Sequence, residues 1–205
     1  MALAVARQHG FALGGGHGLL AHGLVHRPTE DVDLFTNVEG GVRTAIGLVS
    51  SALTDAGLQV TAPPDETDLT EIIYGMDDAF EELDVSDGSA TVSISLAKLA
   101  RHRPLVVMAV GPVLHLDDLL GSKVCALSDR AMVRDFIDVA AAVGRGYQRA
   151  RLIEMAHEHD PTVSDDDLRL AMRRLDRLPD AAFAPYRCDA RAVSELRDRF
   201  AGWDR

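Results

Sequence analysis

The stretch FALGGGHGLLAHGLVHRPTEDVDLF, Phe11 to Phe35, places a glycine turn, a short helix and two carboxylates within one compact unit. Phe11–Leu13 predicts a strand that runs into Gly14, Gly15 and Gly16. His17–Val25 predicts a helix that stops near Arg27 and Pro28, because proline lacks the N–H that an interior helical position needs. Asp31–Phe35 predicts the next strand. Residues i and i+2 of a strand share a face, so Asp31 and Asp33 project together while Val32 and Leu34 point into a core. Two like charges held that close repel, and a divalent cation is the usual remedy. Glycines let backbone approach a phosphate, and a helix start offers N–H groups to an anion. The outline fits a metal-dependent nucleotidyl-transfer site.

Two other readings of the segment stand beside this one. A P-loop needs GxxxxGK[ST], which is absent, and Gly14, Gly16 and Leu19 do not complete a GxGxxG fingerprint, so the triple glycine alone is as well explained by a tight turn. His22 and His26 are four apart and would share a helix face. With Asp31 or Asp33 they could offer zinc a mixed nitrogen and oxygen ligand set, although the glutamate of an HExxH protease is missing. A surface or capping role also fits these histidines.

Composition bounds the class. The chain has 205 residues, 47% hydrophobic and 26% charged, enough for a sizeable core in one domain or in a domain plus a helical lobe. No apolar run approaches the roughly 20 residues that span a bilayer, and the Met1–Val5 stretch lacks the length and basic start of a signal peptide. The expected location is the cytoplasm, with no membrane partner. Cys125 and Cys188 stand apart, without CxxC spacing, and read as small buried hydrophobes rather than a disulfide or zinc framework. A net charge of −11 argues against indiscriminate binding to nucleic acid, which relies on Lys and Arg releasing phosphate counterions. It leaves room for a local basic site. Arg145, Arg149 and Arg151 form one cluster, and Arg169, Arg173, Arg174 and Arg177 another. Both are read as solvated faces with acidic neighbours such as Asp165–Asp167 and Asp176, or as an RNA or partner surface.

Along the chain, strand-like and helix-like segments alternate and then give way to helices. Val42–Ala56 predicts a helix closed by Gly57, with Ile46, Val49 and Leu53 on one face. Leu58–Thr61, Leu69–Tyr74, Phe80–Val85, Thr91–Leu96 and Leu105–Val110 predict short strands, separated by turns such as Pro63-Pro64 and Asp87-Gly88. A mixed, partly antiparallel sheet follows. Helices are predicted over Leu116–Leu127, around Met132, Phe136, Val139 and Val143, and over Arg149–His159, Asp165–Arg177 and Ala190–Phe200, with Ser164 as an N-cap and Pro179 just past a helix end. The expected fold class is α+β, divided near Val113 into a core over residues 1–112 and a helical lobe over 113–205.

GGGHGLLAHGLVHRPTEDVDLF, followed later by LDDLLGSKVCALSDRAMVRDFIDV, resembles the AbiEii/AbiGii family of bacterial toxin-like nucleotidyltransferases, which includes the MenT toxins. The resemblance lies in a combination: a GG turn, an HRxTxDxDLF block, and a later helix pair carrying a lysine and RDxxD. It covers most of Phe11 to Val143. It implies a polymerase-beta-like nucleotidyltransferase core with a mixed sheet, followed by helices that contribute Lys123 and Asp135 to the site.

Carried over by position, the resemblance makes Gly15 and Gly16 the nucleotide-facing turn, with His17 where Ser or Thr is frequent. Asp31 and Asp33 become the metal pair, for Mg²⁺ or Mn²⁺. Thr29 is a nearby hydroxyl, Lys123 faces the triphosphate, and Asp135 is the late acidic residue. The implied partners are an NTP, an RNA 3′ end (tRNA in particular) and a cognate antitoxin. Mg²⁺ prefers oxygen ligands and is commonly held by one or two carboxylates plus substrate phosphates, which suits the aspartates. Without the resemblance, Lys123 reads as a solvated lysine, and Asp135 and Asp138 beside Arg130 and Arg134 as a helix-surface ion-pair set. One departure concerns the chemistry: Ser95 stands in Val92–Leu96 where a third carboxylate is expected, and Asp84 on the preceding strand is the candidate substitute. The alternatives to RNA transfer are a binding module without catalysis, or transfer to a protein or small-molecule acceptor.

Overall fold

The computed structural model describes residues 1–62 and 80–203. The predicted strand Leu69–Tyr74 and the Pro63-Pro64 turn lie outside them. The chain divides into two compact units, one of residues 1–21 and 29–115, the other of residues 22–28 and 116–205. The dividing point falls at His115, and the short segment His22–Pro28 groups with the helical residues.

The first unit is built on a mixed sheet. It contains α1 (Ala2–Ala6), β1 (Ala12–Leu13), α2 (Gly15–Ala21), β2 (Val32–Thr36), α3 (Gly41–Asp55), β3 (Gln59–Thr61), β4 (Phe80–Ser86), β5 (Thr91–Lys98), β6 (Val106–Met108) and β7 (Gly111–Val113). Among the described residues the strand order is β3-β4-β5-β2-β1-β7-β6. The β2–β5 and β1–β7 pairs are parallel and the rest antiparallel. Leu34, Ile94, Leu96, Leu83 and Val85 point to one face and join Val42, Ala45, Val49 and Leu53 of α3 in the core. The three-and-four spacing of those α3 residues gives the helix a single buried stripe. Gly57, at φ +85°, ends it in the left-handed conformation, and the amides of Gly57 and Leu58 close on the carbonyls of Thr54 and Leu53.

Three local expectations need correcting. The helix predicted over His17–Val25 runs instead from Gly15 to Ala21. It starts inside the glycines, where Gly15 takes φ +52°, and stops before Gly23 at φ +64°. His22 and His26 therefore do not share a helix face, which removes the geometric basis of the zinc reading. The apolar run Leu105–Val110 is not one strand but β6 and a tight turn, with Gly111 at φ +123° opening β7. Asp31 precedes β2 rather than starting it.

The second unit contains α4 (Leu116–Asp129), α5 (Val133–Gly144), α6 (Arg149–His159), α7 (Asp165–Arg177), a 3-10 turn (Asp180–Tyr186) and α8 (Ala190–Arg199). Ser164 caps α7: its Oγ accepts from the Asp167 amide at 3.2 Å while Asp167 accepts from the Ser164 amide at 3.1 Å. This reciprocal pair satisfies two groups that a helix start leaves open. The arginines have acidic neighbours as one reading expected, with Arg149 2.6 Å from Asp165 and Arg169 2.6 Å from Asp166.

Candidate nucleotide site

In the sheet unit the site is set by strand register. Antiparallel pairing of Leu13 with Leu34 brings Gly14 beside Asp33, and the Gly14 amide donates to the Asp33 carbonyl at 2.8 Å. The glycines are obligatory there. A Cβ on Gly14 would lie 2.2 Å from the Phe35 ring, and one on Gly15 would lie 1.7 Å from Asp33 Oδ2. On the other side of β2, Asp33 pairs with Ser95 of β5, whose hydroxyl donates to Asp33 Oδ1 at 3.1 Å. The Asp33 carboxylate is thus clasped between a side-chain-free turn and a serine. His17 Nδ1 lies 2.9 Å from the Asp31 carbonyl and ties the start of α2 to the residue entering β2. Gly16 is buried, and Thr29 lies half-buried in the irregular chain leading to β2.

The same register finds a carboxylate that the sequence reading passed over. Ser95 pairs with Asp33 on one side and with Glu82 of β4 on the other. Directly paired residues point to one face of a sheet, so Asp33, Ser95 and Glu82 form a row opposite the helix-covered face. Asp84 pairs with Ser93 and shares this face two residues further along β4. Glu82 accepts a hydrogen bond from the Ser93 hydroxyl. The alternation of Glu82, Leu83 and Asp84 carried half of this signal; which of the two acids sits level with Asp33 depends on the pairing.

In the helical unit, Lys123 of α4 and Asp135 of α5 belong to one buried ion network. Lys123 Nζ lies 3.1 Å from Asp138 Oδ2 and 4.0 Å from Asp135 Oδ1. Asp138 also receives Arg27 Nε at 2.7 Å and Nη2 at 2.8 Å, a bidentate fork that the planar guanidinium favours. Asp135 accepts from Arg130 Nε at 3.1 Å and Nη2 at 3.2 Å and from the Met132 amide at 3.2 Å, where it caps α5. Both aspartates are fully buried and Lys123 is 7% exposed, so the readings of a solvated lysine and a surface ion-pair set fail. Three cations share two buried carboxylates. Burial is the largest single influence on Arg27 and works against its charge, but the hydrogen bond to Asp138 together with the nearby negative charge of Asp138 and Asp135 leaves the guanidinium pKa raised.

The carboxylates of the sheet unit fit Mg²⁺. Asp31 and Asp33 offer only hard oxygen donors, and the absence of a Gly15 side chain lets the Asp33 carboxylate sit against the backbone of the turn. Among the described residues no group of three or more His, Cys, Asp or Glu is placed to hold a metal ion. Two carboxylates completed by substrate oxygens and water match the usual way Mg²⁺ is held at phosphate-transfer sites.

A glycine turn therefore packs against a strand carboxylate on a mixed sheet. The chain belongs to the AbiEii family: the model described as nucleotidyl transferase AbiEii toxin, type IV toxin–antitoxin system, matches residues 2–198. Solved structures share the fold. MenT4, a nucleotidyltransferase toxin from Mycobacterium tuberculosis, aligns with a TM-score of 0.62 at 17% identity, over 98% of this chain and 80% of that one. JHP933 from Helicobacter pylori aligns with a TM-score of 0.53 at 19% identity, over 99% of this chain and 88% of that one. Among curated protein sequences none matches. The protein is a nucleotidyltransferase of a toxin family. No helix among the described residues is long and apolar enough to cross a membrane.

Proposed function

We propose that the protein transfers an NMP from an NTP to the 3′ end of an RNA, tRNA being the expected acceptor, and does so as the toxin of a toxin–antitoxin pair. The observation that supports this best is the clasp on Asp33 by Gly15 and Ser95. It pre-orients one carboxylate, so that little reorganisation is needed when substrate arrives.

In this reading Asp31 and Asp33 hold Mg²⁺ or Mn²⁺, which neutralises triphosphate charge and lowers the pKa of the attacking hydroxyl. Gly15 and Gly16 admit the triphosphate close to backbone, with His17 and Thr29 at its edge. Lys123 serves as a point charge on the phosphates, and Asp135 fixes the ion network around it. The acceptor hydroxyl gives its proton to a nearby carboxylate or to water, and its oxygen forms a bond to the α-phosphorus while the α–β phosphoanhydride breaks and pyrophosphate leaves. Glu82, level with Asp33, replaces the carboxylate that Ser95 does not supply.

The test is a labelling assay with purified protein, each of the four labelled NTPs, Mg²⁺ and total tRNA. Labelled RNA is expected from the wild type and from neither Asp31→Ala nor Asp33→Ala, with losses of at least about a hundredfold. Absence of RNA labelling with every NTP would overturn the RNA reading. Label appearing in protease-sensitive material would move the acceptor to a protein, and tight NTP binding without pyrophosphate release would support a binding module.

A further inference from the structure

Positive charge is unevenly distributed along the chain. Of the 21 Lys and Arg residues, only Arg7, Arg43, Lys98, Arg101 and Arg103 lie outside segments 22–28 and 116–205. The helical unit therefore carries 16 of the 21 basic groups that could meet a polyanion, in a protein whose net charge is −11. Much of that charge is spent in local ion pairs, but one cavity has two guanidinium groups at its edge, of which Arg199 donates from Nη1 to the Ala140 carbonyl at 3.3 Å. It encloses about 300 Å³, and its lining includes Leu24, Val25, Ala140 and Leu196 as well as Arg187 and Arg199. The four apolar residues are buried while both arginines are exposed. The one acid lining it, Glu195, is held by Arg191 Nε at 2.8 Å. Arg27, also in the lining, is neutralised by Asp138 and lies over the Tyr186 ring at 5.8 Å from its centroid.

Arg187 carries a second signal. It takes φ +60°, a left-handed conformation that a side chain as long as arginine seldom adopts, at the end of the 3-10 turn where the pocket begins. A non-glycine residue kept in that conformation points from strain toward use. An apolar floor with a tyrosine and two arginines at the rim matches a nucleotide, whose base has two apolar faces and whose phosphate is met by planar guanidinium groups. We propose that this pocket seats one nucleotide of a single-stranded RNA, with its base on the apolar floor and its phosphate at Arg187 and Arg199. The proposal rests on the RNA reading above and assigns the acceptor strand a site within the helical unit.

Cys188, half-buried in the same lining, gives a local reporter, and Cys125 an internal control whose thiol is pushed up to about 11 by burial. The experiment uses the full-length protein without NTP and a short fluorescein-labelled single-stranded RNA ending in a 3′-phosphate, which cannot accept a nucleotide. Binding is read by anisotropy across a salt series, and Cys188 alkylation is read with and without RNA. Arg187→Asn removes the charge while tolerating the left-handed backbone. It is expected to weaken binding several-fold and lower the salt slope by about one, with Arg187→Lys recovering most of both. RNA is expected to slow alkylation of Cys188 and leave Cys125 unchanged. Unaltered RNA affinity in Arg187→Asn, or equal protection of Cys188 by polyglutamate, would overturn the proposal. Transfer to an unblocked RNA is measured in parallel. Transfer by the wild type together with unaltered binding in Arg187→Asn overturns the pocket alone. RNA binding at Cys188 with no transfer by the wild type upholds the pocket and overturns the transfer reading.

Discussion

At the scale of single residues, the proposed site depends on what is missing from Gly15. A methyl group there would fall 1.7 Å from the Asp33 carboxylate, and the backbone at φ +52° already disfavours a side chain. Gly15→Ala is expected to displace Asp33 and abolish transfer while leaving the far-UV spectrum of the protein intact; full activity in that variant would contradict the clasp. Ser95→Ala removes a single hydrogen bond to Asp33, worth about 1 kcal/mol, and should lower the rate about fivefold. A different residue governs acid behaviour at the β4–β5 turn. Asp87 Oδ1 accepts from the Ser89 hydroxyl and from the Ser89 and Ala90 amides, which holds its carboxyl down to about 2 from 3.8. A depressed carboxyl stabilises the fold above its ordinary pKa and loses that contribution as pH falls toward 2. Protection of the Ser89 and Ala90 amides, relative to their intrinsic exchange rates, should therefore fall across that window, and Asp87→Asn should remove that change in protection.

Among elements, pairing and capping decide which polar groups become chemistry and which become structure. Glu82 and Asp84 sit on the same face of β4, but only Glu82 stands level with Asp33 across Ser95. Glu82→Gln is expected to cut transfer far more than Asp84→Asn, and equal effects would remove Glu82 from the site. In the helical unit, α4 and α5 bury charge between them, where a cation without its partner is costly. Arg27→Ala takes a bidentate cation away from the buried Asp138 carboxylate and should destabilise the protein by about 3–5 kcal/mol, read by chemical denaturation.

For the molecule as a whole, the helical unit is discontinuous in sequence. Its later part takes Arg27 from residues 22–28 as a partner for Asp138, and the same short segment supplies Leu24 and Val25 to the pocket. A fragment of residues 116–205 lacks that segment, so it is expected to melt without a cooperative transition. Addition of the segment through a flexible linker should restore one. Cooperative unfolding of the bare fragment would show that residues 22–28 are dispensable to the unit.

The glycine turn, the paired aspartates and the helical periodicities are written locally, because φ freedom, strand alternation and the 3.6-residue repeat act over a few neighbouring residues. That is why α3, α7 and the cap at Ser164 are legible in the sequence. The extent of α2 differs from its apolar pattern because glycines weaken the helix at one end and begin it in the left-handed region at the other. Tertiary structure alone decided what depends on pairing across long separations. It set Gly15 against Asp33 and Glu82 level with Ser95, and it joined Arg27 to Asp138, which is 111 residues away. It also buried Lys123, which a helical wheel leaves looking solvated. Registers and ion networks are chosen by the burial of whole faces, and no local stretch of sequence contains both sides of such a contact.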